Sequence, residues 1–342
     1  MKNITISKDN ESKRLNRFLF SYFGSASEGF IYKMLRKKNI VLNDKKASGS
    51  EILKEGDIIS VYFSDETFEK FKSGHDDRFD SIKFDNKNVL DKKDIVFEDN
   101  NIIVINKRAG ILSQKSQKDD VSINEMALNY MYLNKEIDGE KLKNFVPSIL
   151  NRLDRNTSGL IIFGKNYKVS KLISLMFAEN KIERYYIANC YFDARSAFSG
   201  KEDVIVSSDY KKDEFENKAC LSNTKFISKN EIENEIKNNK IVTRFKIINS
   251  SSTSSKIEAK LETGKSHQIR AQLFCLNLPI IGETKYINYN DKALNEIRNK
   301  YYKNINGQLL CAYKIILGNI EDTSDSEFNY LSGKNFSITP NF

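Results

Sequence analysis

The chain is 342 residues long, which at roughly 100–200 residues per domain predicts two domains and room for a large core. Hydrophobic residues make up 39% and charged residues 30%, a balance that excludes collagen, low-complexity disorder and a membrane bundle. The net charge is +9, from 55 Lys and Arg against 46 Asp and Glu. That excess fits an anionic partner, but it also fits a composition rich in Lys throughout, so its placement decides.

No apolar run approaches the ~18 residues of a membrane span, and residues 1–10 are too polar for a secretion signal. The four cysteines, Cys190, Cys220, Cys275 and Cys311, are far apart and form no CxxC pair. A reducing, cytoplasmic setting without a disulfide-linked partner is expected. His75 and His267 are the two histidines, which excludes a zinc centre built on several of them. No ligand-spaced carboxylate cluster is visible either, so no metal is expected.

Residues 12–62 read as a small independent unit. Ser12 is placed to cap a helix with Leu15, Phe18, Leu19, Tyr22 and Phe23 on one face. Ser27 is placed to cap a second, carrying Phe30, Ile31, Met34 and Leu35. Strands follow at Ile40, Val41 and Leu42 and at 58–63, with turns at Asn43-Asp44 and Glu55-Gly56-Asp57. This stretch holds 10 basic and 5 acidic residues, clustered at Lys13, Arg14 and Arg17 and at Arg36, Lys37 and Lys38. Such clustering suits phosphate contacts, although a solvated helix face would look alike. Residues 65–94 mix 9 acidic and 7 basic residues with few aliphatics, and read as a solvated linker with room for short local structure, in which His75 is exposed.

From Ile95 the chain turns strand-rich. Ile95-Val96-Phe97 and Ile102 to Ile105 flank a hairpin turn at Glu98-Asp99-Asn100-Asn101. Helical spacing is clear in Ile123, Met126, Ala127, Tyr130 and Met131, and again in Val169, Leu172, Ile173, Met176 and Phe177. Leu160 to Phe163 reads as a buried strand, and further strands are expected at 185–190, 242–248 and 257–261. The pattern predicts an α+β fold with a mixed, mainly antiparallel sheet rather than alternating βαβ units.

Two segments carry chemistry. In Asn151-Arg152-Leu153-Asp154-Arg155-Asn156-Thr157-Ser158-Gly159-Leu160, a carboxylate sits between two cations that favour its charged form, ahead of a core strand. An ionised carboxylate is a possible nucleophile, but a turn-capping Asp paired with a neighbouring Arg fits the residues as well. Ser158 is not in a GxSxG elbow, which excludes an ordinary serine hydrolase. The second segment is Leu261-Glu262-Thr263-Gly264-Lys265-Ser266-His267-Gln268-Ile269-Arg270. Its Gly-Lys-Ser ends like a nucleotide-binding loop, but position 259 is alanine where that loop needs glycine.

The front unit, through its Arg-Leu start, basic second helix and x-x-G-D-x-I turn, resembles the alpha-L RNA-binding module. The two later segments resemble the RluA-type pseudouridine synthases. N-R-L-D-R-N-T-S-G-L at 151–160 matches the family's H-R-L-D-x-x-T-S-G-L, and T-G-K-S-H-Q-I-R-A-Q-L at 263–273 matches its T-G-R-[ST]-H-Q-I-R-x-H-L. Asn106-Lys107-Arg108-Ala109-Gly110, Arg184-Tyr185-Tyr186-Ile187-Ala188, Pro279-Ile280-Ile281-Gly282 and Leu310-Cys311-Ala312 follow its remaining motifs in order. Asn151, Arg108, Gln272, Cys311 and Glu283 depart from the usual His, Pro, His, His and Asp.

The resemblance implies an alpha-L domain at 1–64, a linker at 65–94 and a pseudouridine synthase domain at 95–342. It implies isomerisation of uridine in RNA, with ribosomal RNA of the large subunit as partner, and no cofactor. Asp154 would be the nucleophile, Arg270 its ion-pair partner and Tyr186 the ring stacked on uracil. Arg152 would fill the space of a flipped-out base and Leu310 would pack near it. Lys107, Arg155 and Lys265 would hold phosphates, and Arg14, Arg36, Lys37 and Lys38 would bind RNA from the front module. A non-catalytic RNA-binding assembly factor using the same cleft is the alternative.

Overall fold

The computed structural model describes residues 1–342 except 8–9, 74–83, 85, 118, 140–141, 143–144, 306 and 321–325. His75, read from the sequence as exposed, lies outside the described residues.

The front unit is built from β1 (Lys2–Thr5), α1 (Leu15–Tyr22), α2 (Glu28–Arg36), β2 (Ile40–Leu42), β3 (Lys45–Lys46), β4 (Ile58–Val61) and α3 (Asp65–Ser73). Its sheet has the order β1-β4-β2-β3. α1 buries Leu15, Phe18 and Leu19, and α2 buries Ile31, Met34 and Leu35, on the expected faces. Ser27 accepts the Phe30 amide at 3.2 Å and caps α2 as expected. Ser12 does not cap α1. It sits at φ 67°, its amide bonds to Leu53 O at 2.8 Å, and Arg14 takes the capping position without a side-chain bond.

Two further corrections follow from packing. The local structure left open within 65–94 is a helix at 65–73, packed rather than solvated, because Phe68 and Phe71 join the aromatic core around Phe23, Phe30 and Phe63. At the other end of the expected linker, Leu90 is buried in the core of the second unit. Lys13, counted with the basic face of α1, is buried, bonds Asn10 Oδ1 at 2.7 Å and lies 4.9 Å from the Tyr167 ring. Beside it Glu11 pairs with Lys168 at 2.5 Å, so this corner joins the front unit to the rest.

The larger unit is one sheet flanked by helices. In chain order its elements are β5 (Ile95–Glu98), β6 (Ile102–Lys107), α4 (Ile123–Leu133), β7 (Ser148–Ile149), β8 (Ser158–Gly164), α5 (Tyr167–Ala178), β9 (Ile182–Tyr191) and α6 (Ala194–Ala197). They continue with β10 (Asp203–Asp213), β11 (Lys218–Ile227), α7 (Ile232–Lys237), β12 (Ile241–Ser250), β13 (Ser254–Leu261), α8 (Gln268–Cys275), α9 (Lys292–Tyr301), β14 (Leu310–Leu317) and β15 (Asn335–Ser337). The strand order is β11-β10-β12-β13-β9-β14-β8-β6-β5, with β7 beside β8 and β15 beside β14. Each of these pairs is antiparallel except β14 with β8, which makes the sheet mixed and mainly antiparallel, as expected.

The apolar runs of β6 and β8 serve two cores. Ile103, Ile105, Ile161 and Phe163 face the core under α4 and α8, while Ile102, Val104, Leu160 and Ile162 face the core under α5. A strand covered on both faces loses its period-2 alternation, which is why these segments read as continuous hydrophobic stretches. The 98–101 turn forms as expected, with Asp99 Oδ1 accepting from the Asn101 and Ile102 amides at 2.7 and 2.8 Å. Asn166 caps α5 by accepting from Val169 N at 3.0 Å.

Candidate active site

Asp154 sits in the loop that leads into β8. The loop is pinned from below by the segment after β6: Ser113 Oγ donates to Leu153 O at 2.7 Å and accepts from Leu153 N at 3.0 Å. Gly110 N donates to Arg155 O at 2.8 Å, and Thr157 N closes a turn on Asp154 O at 3.1 Å. Lys107 completes this support. Its ammonium is buried and donates to the carbonyls of Arg108, Ile111 and Arg155 at 3.0, 2.9 and 3.1 Å. Its three protons are taken, so Lys107 cannot hold a phosphate, and that expectation is corrected. Burial pushes its pKa down to about 8 against the opposing pull of Asp154.

Arg270 reaches Asp154 from α8, 116 residues away in sequence. Nη1 donates to Asp154 Oδ2 at 2.8 Å. Nε and Nη2 form a fork with Glu283, donating to Oε2 and Oε1, each at 2.8 Å. Glu283 Oε1 also accepts the Thr284 and Lys285 amides at 2.9 Å. Burial works against the charge of Arg270, but Glu283 and Asp154 outweigh it and hold the guanidinium above its ordinary range. Burial likewise raises Glu283, and Arg270 with the two amides brings it below the usual carboxylate range. A buried, forked, shared guanidinium is a fixed mount for the Asp154 carboxylate, whose side chain is 27% exposed.

These groups open on a cleft of about 1130 Å³. Asp154, Arg270, Tyr186, Arg152, Arg155, Lys265 and Leu310 all line it, so the structure brings together seven residues expected at one site. Tyr186 and Leu310 are neighbours across β9 and β14, in register at Tyr186–Ala312 and Leu310–Ala188. Burial raises the Tyr186 phenol to about 12, so at neutral pH it is an uncharged ring. Arg14, Arg36, Lys37 and Lys38 are exposed on the front unit and do not line this cleft.

Among the described residues lining the cleft, Asp154 is the one carboxylate. It shares that lining with Lys115, Arg152, Arg155, Arg184, Lys240, Lys265, Arg270 and Lys285. Arg184 is a lining residue the sequence reading passed over, although it opens the R-x-Y segment. Among the described residues its buried Nε has no hydrogen-bond partner, and its Nη1 lies 2.4 Å from where a Cβ on Gly264 would stand. Gly264 thus sits against the end of the Arg184 side chain, and residues 254–261 ahead of it are strand β13 rather than a glycine-rich cradle.

His267 and Tyr286 were also missed as site residues. His267 Nε2 is 3.7 Å from Asp154 Oδ2, and His267 Nδ1 is 2.9 Å from Tyr286 Oη. Only the T-G-K-S-H-Q-I-R segment itself pointed to His267, and nothing in the sequence marked Tyr286. The departures at Asn151 and Gln272 are structural. Asn151 Oδ1 accepts from Ile162 N at 2.8 Å, and Gln272 accepts from Thr243 Oγ1 at 2.6 Å while donating to Val206 O at 3.2 Å.

A family model described as RNA pseudouridylate synthase matches residues 101–274, which span the site from β6 to α8. A Mycoplasma capricolum protein bearing the name uncharacterized RNA pseudouridine synthase is 29% identical over 337 residues, covering 98% of this chain and 96% of its own. Ribosomal large subunit pseudouridine synthase C of Rickettsia bellii is 30% identical over 289 residues, 83% of this chain and 85% of its own. Ribosomal large subunit pseudouridine synthase D of Borreliella burgdorferi is 26% identical over 267 residues, 78% and 74%. Both motif segments fall inside the family match, and the chain belongs to the RluA-type RNA pseudouridine synthases, enzymes that isomerise uridine within RNA.

Proposed function

We propose that this enzyme makes pseudouridine in large-subunit ribosomal RNA, with Asp154 as nucleophile acting on a base flipped out of its helix. The observation that carries the reading is a cleft whose wall holds one carboxylate among eight Lys and Arg side chains. Such a wall attracts a polyanion and sets a single carboxylate among its cations. The large-subunit target is supported by the relatives named synthase C and synthase D.

The reaction is an isomerisation. The N1–C1′ bond of uridine breaks, the uracil turns, and C5 bonds to C1′; the C5 proton leaves and N1 is protonated, so nothing is oxidised or reduced. An Asp154 oxygen adds to the nucleotide and is released when C5 joins C1′. Arg270 keeps the carboxylate aimed through its 2.8 Å hydrogen bond to Oδ2 while docking of the base expels water. Tyr186 offers its ring face to the uracil, worth about 1–3 kcal/mol of stacking, and Leu310 closes the apolar side. Flipping costs a few kcal/mol, which Arg152 offsets by occupying the vacated stack, while Arg155 and Lys265 bind flanking phosphates.

Tritium release from C5-labelled uridine in ribosomal RNA tests the assignment. Wild type is expected to release tritium and Asp154→Asn to release none while still binding RNA. Equal release by the two proteins overturns the nucleophile, and mapped pseudouridines confined to transfer RNA overturn the target. If Asp154→Asn instead preserves every cellular function, the assembly-factor alternative holds.

A further inference from the structure

The Asp154 carboxylate is held asymmetrically. Oδ2 accepts Arg270 Nη1 at 2.8 Å and lies 3.7 Å from His267 Nε2. Among the described residues no donor is bonded to Oδ1. The second ring nitrogen of His267 meets the Tyr286 hydroxyl at 2.9 Å, and the Ala219 amide donates to that same hydroxyl oxygen at 2.6 Å.

Proton counting sets the direction of this chain. The Tyr286 oxygen accepts from Ala219 N–H and still has one proton to give. Tyr286 is 1% exposed, and His267 Nδ1 is the acceptor in place for that proton. Were Nδ1 protonated instead, a buried phenolic proton would be stranded, at a cost of about 1–3 kcal/mol. A neutral imidazole with Nδ1 as acceptor carries its proton on Nε2, the nitrogen that faces Asp154. Burial favours the neutral ring, against the pull of Asp154.

We propose that His267 is a positioning residue for the nucleophile: its tautomer, set by the Ala219 amide and Tyr286, directs an Nε2–H at Oδ2 and leaves Oδ1 as the attacking atom. Two further observations fit this role. His267 occupies the left-handed region (φ 58°, ψ 15°) immediately before α8, a backbone state uncommon for a side-chain-bearing residue, and it is this state that carries the ring to the carboxylate. Tyr286 also lies under the guanidinium of Arg270, 5.1 Å from Cζ, so one tyrosine supports both partners of Oδ2. The inference rests on Asp154 as nucleophile and adds which oxygen reacts and what holds the other.

The experiment has a spectroscopic arm and a kinetic arm, both on the full chain. With two histidines in the sequence, the ring nitrogens of ¹⁵N-histidine-labelled protein give two spin systems, and His267→Asn identifies the one at the site. At neutral pH the His267 ring is expected in the Nε2–H tautomer, and Tyr286→Phe is expected to abolish the preference. In tritium-release kinetics, His267→Asn, which tolerates the left-handed backbone, is expected to lower kcat about 10–100-fold with KM for RNA within about twofold. His267→Gln, which can return an N–H toward Oδ2, is expected to recover part of that loss. An Nδ1–H tautomer in wild type, or unchanged kcat in His267→Asn, overturns the proposal while an inactive Asp154→Asn leaves the nucleophile standing. An active Asp154→Asn overturns the nucleophile itself and the proposal with it.

Discussion

Lys107 shows how a side chain can serve a site without touching what binds there. Its ammonium ties two carbonyls of the segment after β6 to one of the loop that carries Asp154. Lys107→Met orphans acceptors at a buried place and is expected to lower stability by about 1–3 kcal/mol, read from the urea midpoint at constant m. The pH dependence has a definite sign. Below pH 8 Lys107 is charged in the folded and the unfolded chain; between about 8 and its ordinary 10.5 the unfolded chain holds more protons. Stability contributed by this group therefore rises with pH across that window and is flat above it. A wild-type minus Lys107→Met difference that is flat from pH 8 to 10.5 would contradict the burial of this charge. The sequence showed Lys107 as a motif residue, but not that the end of β6 is covered on both faces, and so it suggested a phosphate ligand. Asp154, Arg270 and Tyr186 were legible because their motifs are specific; Tyr286 was not, because an isolated aromatic looks like any core residue.

At the scale of elements, β8 and β14 make the parallel pairing that sets Asp154 beside Leu310 and Tyr186. Gly159 enables it: at φ 117°, a Cβ there would stand 2.3 Å from Ala312 O. Gly159→Ala is expected to destabilise by about 1–3 kcal/mol through backbone strain alone, more with the clash, and to lower kcat because the Asp154 loop runs directly into the start of β8. A urea midpoint unchanged by this substitution would contradict the close approach. The basic end of α2 gives an independent prediction. Charge reversal of Arg36, Lys37 and Lys38 is expected to reduce the slope of log K against log salt for RNA by about 0.7 for each phosphate no longer neutralised, with tritium release from short RNA unchanged. An unchanged slope removes these residues from the interface. Most strands and α1, α2, α4 and α5 were readable from periodicity. The β10–β11 hairpin was not, since residues such as Lys211, Lys212, Lys218, Thr224 and Lys225 leave it without one clearly apolar face. The helix at 65–73 was hidden by its acidic and basic residues, although Phe68 and Phe71 at i and i+3 were its signal.

For the whole molecule, the packing of Phe68 carries the front unit's core beyond the boundary at 64 that the resemblance implied. Deleting 1–73 is expected to weaken RNA binding and flatten its salt dependence while the remaining sheet unfolds in one cooperative transition. Deleting only 1–64 strands an amphipathic helix with two exposed phenylalanines and is expected to give a more aggregation-prone protein. A noncooperative transition in the 1–73 deletion would show that the Glu11–Lys168 and Lys13–Tyr167 contacts fuse the two units into one. The α+β class and mainly antiparallel sheet were legible at this scale, because runs of strands outnumber helices and do not alternate with them. The strand order was not, because β8 finds its parallel partner far along the chain, with Gly159 opposite Ala312.

That separation bears on when activity can begin. Every residue named as lining the cleft except Leu310 has been synthesised before β14 emerges. Until that strand slots between β9 and β8, β8 lacks its parallel neighbour and the cleft lacks Leu310. Closing so long a loop is slow and comes late in assembly. A nascent chain stalled short of this strand would hold every charged group named in the cleft wall and still lack the Leu310 side of the pocket.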